Sequence, residues 1–252
     1  MATVDLRDQF LPVWSQKGLE SCTALMMCDA IWWELKRQSA AWGKSPPFIP
    51  SALFVYYNAR KRAGHENLNI AVRPSDVMAA VQEYGVCPES LWRYSPARYR
   101  DRPSTKAYQV ASCYKGIQFE PLPQNLSALK ASLAAGRPFF FCLRLFPSNY
   151  QDFGQGEIAL TGDFKFHKPE ENPVYNHAML AVGYDEATSM FVIRNSFGSE
   201  WGKGGYLFLP FEALSDSKTT YGFWRVKTNS IKVNLEFPYQ NQQYHVRLDR
   251  LS

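Results

Sequence analysis

The sequence predicts an α+β fold of two packed lobes, a helical lobe followed by a strand-rich one. Two observations carry that prediction. Up to about residue 105, apolar residues recur at helical spacing; beyond it, short apolar runs divided by glycine and proline take over. The length of 252 residues suits one large domain or two lobes sharing a cleft.

In the first half, Cys22 to about Gln38 reads as a helix, with Ser21 as its cap and Leu25, Cys28, Trp32 and Leu35 in register. After Pro46, Pro47 and Pro50, a second helix is expected from Ser51 through Leu53, Phe54, Tyr56 and Tyr57. A third follows Pro74, with Ser75 as cap and Gly85 as the stop. The change of character falls near Pro103 to Val110. In the second half, Leu126–Ala135 reads as a short helix ending at Gly136. Strands are expected at Phe139–Leu143, Ala178–Val182, Phe191–Ile193, Tyr206–Leu209 and Phe223–Val226. The helical lobe thus spans about 1–105 and the strand lobe about 106–229. Residues 230–252 alternate apolar and polar in two runs around Asn241-Gln242-Gln243, the pattern of a terminal hairpin that could contact a partner.

Composition narrows the function classes. Hydrophobic residues make up 46% and charged residues 20%, which excludes a disordered chain. The charge of +5 comes from 28 basic against 23 acidic residues. Arg60-Lys61-Arg62 and Arg98-Tyr99-Arg100-Asp101-Arg102 read as solvated faces, because neither sits in a nucleic-acid motif. No apolar run is long enough to span a bilayer, and no membrane role is expected. The N-terminus lacks a signal-peptide pattern, so a cytosolic protein, or an exported one without its leader, is expected. The five cysteines, Cys22, Cys28, Cys87, Cys113 and Cys142, form no framework or zinc-ligand spacing; free thiols and no metal or cofactor are expected.

Cysteine chemistry needs a thiolate, a base and donors for an oxyanion. Cys22 stands where a helix begins, so unpaired N–H groups and the positive dipole end favour its thiolate. Six residues upstream, Gln16 can place a side-chain N–H beside the attacked carbonyl, together with the Cys22 amide. His177 heads the apolar strand Ala178–Val182, a rigid mount for a base. Asn195 ends the strand Phe191–Arg194, where its amide oxygen can accept the imidazole N–H and fix the tautomer. The stretch Asn195–Tyr206 carries four glycines and three aromatics, unusual for a plain connection. Taken singly, Cys22 and His177 also read as ordinary core residues.

Together these blocks resemble the papain family of cysteine peptidases across residues 3 to 227. The Gln16-to-Cys22 spacing, Asn176-His177-Ala178 with Val182-Gly183-Tyr184, and Asn195-Ser196-Phe197-Gly198 with Trp201-Gly202 and Gly205-Tyr206 occur in the family's order. The resemblance implies a helical left lobe carrying Cys22, a β-barrel-like right lobe carrying His177 and Asn195, and a substrate cleft between them. It implies a resting thiolate–imidazolium pair, hydrolysis through a thioester, and an oxyanion hole from Gln16 and the Cys22 amide. It places Glu20, Ser21, Val72, Pro74, Asn176 and Ala178 along the peptide or protein substrate, and Phe197 and Trp201 as an aromatic shield over the Asn–His bond.

The sequence departs from the family around the nucleophile. Leu19 and Glu20 stand where a cysteine and a glycine are usual, and Thr23 replaces a tryptophan. The usual left-lobe disulfide is therefore absent, as in a bacterial or viral type of member, and Glu20 alters the path of the substrate backbone. No propeptide pattern precedes the domain, so an enzyme made without one, or trimmed of it, is expected. Endopeptidase activity is the leading reading. The same site could instead pass the thioester to an amine, as a transpeptidase or acyltransferase, or the scaffold could serve as a binding module.

Overall fold

Every residue from Cys22 through Leu35 of helix α1 (Cys22–Ala40) is buried. A helix without a solvent face has to be surrounded. Helix α1 packs against α2 (Ala52–Arg62) and α3 (Pro74–Tyr84), and against strands β3 (Phe139–Leu145), β4 (Tyr175–Asp185) and β7 (Thr220–Thr228). The computed structural model describes residues 3–41 and 43–228, so the hairpin expected at 230–252 lies outside the described residues.

The helix starts are set by local chemistry, not always by the residue expected. The Ser51 side chain accepts from the Phe54 N–H and caps α2. Ser21 precedes α1, but its hydroxyl lies 2.5 Å from the Tyr94 hydroxyl and makes no cap bond. Ser75 sits inside α3; Pro74 opens that helix, where its missing N–H costs nothing. Gly85 ends α3 with φ +78°, and a Cβ there would meet the Ala111 carbonyl oxygen at 1.8 Å, so only glycine fits. Arg60 is not on a solvated face. It is fully buried, with its guanidinium donating to the carbonyls of Glu66, Leu68 and Tyr99 at 2.5–2.7 Å. The change of lobe passes through helix α4 (Thr105–Ala111), capped by Ser104.

The strands form one antiparallel sheet in the order β2-β7-β3-β4-β5-β6, with β2 at Ile117–Pro121, β5 at Met190–Arg194 and β6 at Tyr206–Pro210. The short β1 (Thr3–Asp5) pairs with the end of β4. Side chains alternate across the sheet. Phe140, Cys142, Ala178, Leu180 and Val182 join the core shared with α1–α3. Phe139, Phe141, Leu143, Met179 and Ala181 join a second core that includes Leu129 and Leu133 of α5 (Leu126–Ala134). Burial on both faces explains why β3 and β4 read as continuous apolar runs. Two short helices the sequence did not reveal, α6 (Pro147–Gly154) and α7 (Glu157–Thr161), follow β3, and α8 (Phe211–Ser215) follows β6.

Candidate active site

Cys22 is the first residue of α1, and three loop segments converge on it. The chain before the helix runs antiparallel to the chain after β5: Ser15 bridges Phe197, the Gln16 N–H donates to the Ser196 carbonyl at 2.8 Å, and the Gly198 N–H donates to the Trp14 carbonyl at 2.8 Å. Gly205 allows this approach. Its φ is +90°, and a Cβ there would strike the Val13 side chain at 2.7 Å. The Gly205 carbonyl in turn accepts from the Asn195 N–H at 3.0 Å. After Gln16 the chain turns through Lys17 (φ +48°) and Gly18 (φ +78°), which carries it back to α1.

His177, on β4, and Asn195, just past β5, are both fully buried. His177 Nε2 lies 2.7 Å from Asn195 Oδ1, and the Ser196 N–H donates to that same oxygen at 2.7 Å. A donor on Oδ1 fixes the orientation of the amide. The oxygen cannot donate, so His177 must carry its proton on Nε2. Nδ1 then holds the lone pair, and it has no hydrogen-bond partner in the described structure. That is the tautomer a general base needs. Phe197 and Phe153 cover the ring, with centroids at 4.8 and 5.3 Å from it, and Trp201 packs on both at 5.8 and 5.0 Å.

Gln16 is held at both ends of its carboxamide. Its oxygen accepts from the Ser196 hydroxyl at 2.7 Å, and its Nε2 donates to the Leu19 carbonyl at 2.8 Å. One Nε2 hydrogen is left for a substrate oxygen. Cys22 is only 2% exposed, and burial pushes its thiol above the ordinary value, opposed by N–H groups of Ala178 and Thr23 and by the Thr23 hydroxyl. Burial likewise pulls His177 down to about 4, against the Asn195 hydrogen bond and the nearby Glu20 carboxylate. Burial thus opposes the charged form of each group taken singly.

The remaining predicted residues divide into two sets. Glu20 reaches across the cleft, its carboxylate accepting a hydrogen bond from the Tyr175 hydroxyl. The Val72 carbonyl accepts from the Thr23 hydroxyl at 3.1 Å, which ties the start of α3 to α1, and Pro74 opens that helix. Ala178 is buried beside Cys22 in the same core, while Asn176 is exposed. Ser21 is fully buried and bonds Tyr94, which also donates to the Gln16 carbonyl, so it braces the loop and offers no surface to a substrate. A groove of about 790 Å³ opens between Gln16, Glu20, Tyr150, Tyr175, His177 and Trp201. Sequence reasoning missed Phe153, Tyr175, Tyr94 and the role of Ser196. Only Ser196, inside a recognised block, carried a signal. Among the described residues no cluster of His, Cys, Asp and Glu is placed to hold a metal ion.

Comparison with known proteins bears on the family and the fold. The model of the papain family cysteine proteases matches residues 72–217, which include His177 and Asn195. An uncharacterized peptidase C1-like protein of Acanthamoeba polyphaga mimivirus is 28% identical over 221 residues, covering 84% of this chain and 68% of its own. Cathepsin K of Gallus gallus is 28% identical over 221 residues, covering 82% of this chain, which spans 58% of that protein's length. Among solved structures, xylellain, a cysteine protease from Xylella fastidiosa, superposes with a TM-score of 0.79 at 32% identity over 90% of this chain and 86% of its own. The bromelain protease of Ananas comosus shares the fold, with a TM-score of 0.61 at 17% identity over 90% and 99% of the two chains.

Proposed function

Because the chain belongs to the papain family of cysteine proteases, a family of hydrolases, we propose that it is an endopeptidase acting through a thioester on Cys22. The observation that carries this reading is the ordered set Ser196 N–H, Asn195 Oδ1, His177 Nε2, which leaves a lone pair on Nδ1. As the cleft opens to substrate, His177 Nδ1 takes the Cys22 proton and the sulfur adds to the scissile carbonyl carbon. The carbonyl oxygen becomes an oxyanion, held by the free Gln16 Nε2 hydrogen and by the Cys22 N–H, one of the unpaired donors at the start of α1. Collapse breaks the C–N bond, and the departing amine takes the proton from His177. Water, deprotonated by the same nitrogen, adds to the thioester and releases the acid and the free thiol. Phe153, Phe197 and Trp201 keep water from the His177–Asn195 bond throughout.

In this reading Cys22 is the nucleophile, His177 the base and acid, Asn195 its orienter and Gln16 an oxyanion donor. Incubating the protein with an unstructured polypeptide and sequencing the products by mass spectrometry tests it. New internal termini, absent with Cys22→Ala, are the expected result. Joined peptides would instead point to acyl transfer, and unchanged polypeptide would overturn the catalytic reading.

A further inference from the structure

Glu20 lies two residues before Cys22, and Tyr175 lies two residues before His177. On a strand, residues two apart share a face, so Tyr175 and His177 stand side by side. The hydrogen bond from Tyr175 to the Glu20 carboxylate therefore crosses the cleft between the two catalytic mounts. The Glu20 backbone is fixed: its N–H donates to Asn69 Oδ1 at 2.9 Å, which also accepts from the Tyr56 hydroxyl at 2.9 Å, while Asn69 Nδ2 donates to the Gly18 carbonyl at 3.0 Å. Cys22, two residues on from Glu20, is 2% exposed, and both bridge residues act on its thiol electrostatically.

The bridge ends in a carboxylate that faces a neutral hydroxyl. Among the described residues no Lys, Arg or His forms an ion pair with Glu20. Two aromatic rings flank it in the groove: Tyr175 and the exposed Tyr150, with centroids 5.7 Å apart. A carboxylate beside aromatic faces is the environment that a guanidinium or ammonium group seeks, through a charge-assisted hydrogen bond and cation–π contact. The groove's other charged residue, Lys17, is exposed.

We propose that Glu20 determines specificity: its carboxylate exchanges the Tyr175 hydroxyl for the cationic side chain of a peptide Arg or Lys flanking the scissile bond, and that exchange opens the cleft. This rests on the endopeptidase reading for its setting, but not for its test. Cys22→Ala protein is titrated with two fluorescent peptides of one neutral sequence, differing only in a central Arg or Gln. The Arg peptide is expected to bind about tenfold more tightly, the range of a partly desolvated charge pair. Adding Glu20→Gln is expected to bring the two affinities together, Glu20→Arg to reverse the order for a Glu-containing peptide, and Tyr175→Phe to tighten both while keeping their ratio. Equal binding of the two peptides, no binding of either, or a ratio that survives Glu20→Gln would overturn the proposal. Cleavage of the same peptides by the unmutated protein is scored separately: selective binding without cleavage overturns the endopeptidase reading and leaves Glu20 as the selector.

Discussion

Ser196 donates its hydroxyl to Gln16 Oε1 at 2.7 Å, while its own N–H donates to Asn195 Oδ1 at 2.7 Å. One buried serine thereby fixes the orientation of two side-chain amides on opposite sides of the cleft. The bond to Asn195 comes from backbone and survives any substitution but proline. The bond to Gln16 does not. Without it the Gln16 amide keeps only the Nε2 bond to the Leu19 carbonyl to hold nitrogen, not oxygen, toward a substrate carbonyl.

Ser196→Ala is therefore expected to lower kcat by roughly tenfold, part of the loss of about a hundredfold or more that follows removal of an oxyanion donor. Ser196 is a positioning residue, so KM should change little, and Ser196→Ala added to Gln16→Ala should cost little more. A steady-state comparison of the four proteins decides it. Additive losses would mean the two residues act independently.

Cys22→Ala and His177→Ala are each expected to lower turnover by roughly ten-thousand-fold or more, with no further loss when combined. Asn195→Ala should be milder, on the order of a hundredfold, because it frees the ring without removing the proton acceptor. Peptide cleavage rates at matched concentration check the order. An Asn195→Ala protein of full activity would reduce that residue to scaffold.

Acid stability carries a separate signature of His177. Its folded value of about 4 lies below the ordinary 6.5, so below 6.5 the unfolded chain binds a proton that the folded chain refuses. Stability is whole above about 6.5 and is lost as pH falls toward 4, by about 3 kcal/mol for a shift of this size. Glu89 works the other way: burial raises it to about 7, so its folded form takes up a proton first and gains stability on acidification. The His177 contribution is therefore read as a difference. Urea unfolding of wild type and His177→Gln from pH 7 to pH 4 should show the gap between them shrinking on acidification. A constant gap would contradict a buried neutral imidazole.

The sequence made some of this legible for physical reasons. Helix α1 was legible because Leu25, Cys28, Trp32 and Leu35 recur at helical spacing over a run too long for a strand, and β3 and β4 because burial on both faces leaves continuous apolar runs. Cys22, His177, Asn195 and Gln16 were readable from order and spacing, and the fold brings their segments together. Contacts that depend on distant chain were not readable. Glu20 and Tyr175 are 155 positions apart, and nothing local distinguishes Tyr175 from any strand tyrosine. Phe153 sits on α6, a helix of 8 residues opened by Pro147, too short to show a period. Arg60 belongs to a basic run that looks solvated, yet three carbonyls from other segments receive it.

The Glu20–Tyr175 bridge also predicts thiol reactivity. All five cysteines are free, and Cys22, Cys28, Cys87 and Cys142 are buried. Rapid labelling of Cys22 alone, the natural expectation for a helix-start thiol, is not what a 2% exposed thiol raised by burial should give. Alkylation should wait on opening of the bridge. Tyr175→Phe is expected to speed Cys22 labelling by up to roughly tenfold, the worth of one hydrogen bond to a charged group at a part-exposed site. Labelling of Cys28, Cys87 and Cys142 should not change. Peptide mapping after brief iodoacetamide treatment reads all of these at once, and equal Cys22 rates in the two proteins would remove the bridge as a barrier.

The strongest expected effect on stability lies at Arg194, the neighbour of Asn195. Arg194 is fully buried, and its Nε donates to Asp29 Oδ2 at 2.6 Å, its Nη1 to the Tyr206 hydroxyl at 3.0 Å and its Nη2 to the Pro12 carbonyl at 2.9 Å. Asp29 is on α1, the helix that begins with Cys22, so this pair joins the nucleophile's helix to the strand that ends at Asn195. Two buried charges satisfy each other at a cost; removing one leaves the other without compensation, which destabilises by about 3–5 kcal/mol. Arg194→Ala and Asp29→Ala should each show that loss in urea unfolding. The double variant Asp29→Leu/Arg194→Met should lose much less than the sum, since no lone charge stays buried and the volume is filled. Activity should separate the two roles of the pair. If the pair also sets the register between α1 and β5, the double variant will fold stably and still turn over slowly, because Cys22 and His177 will no longer be held at the same separation. A double variant that is both stable and fully active would show that packing alone sets that register, and an Arg194→Ala protein within about 1 kcal/mol of wild type would contradict the buried pair itself.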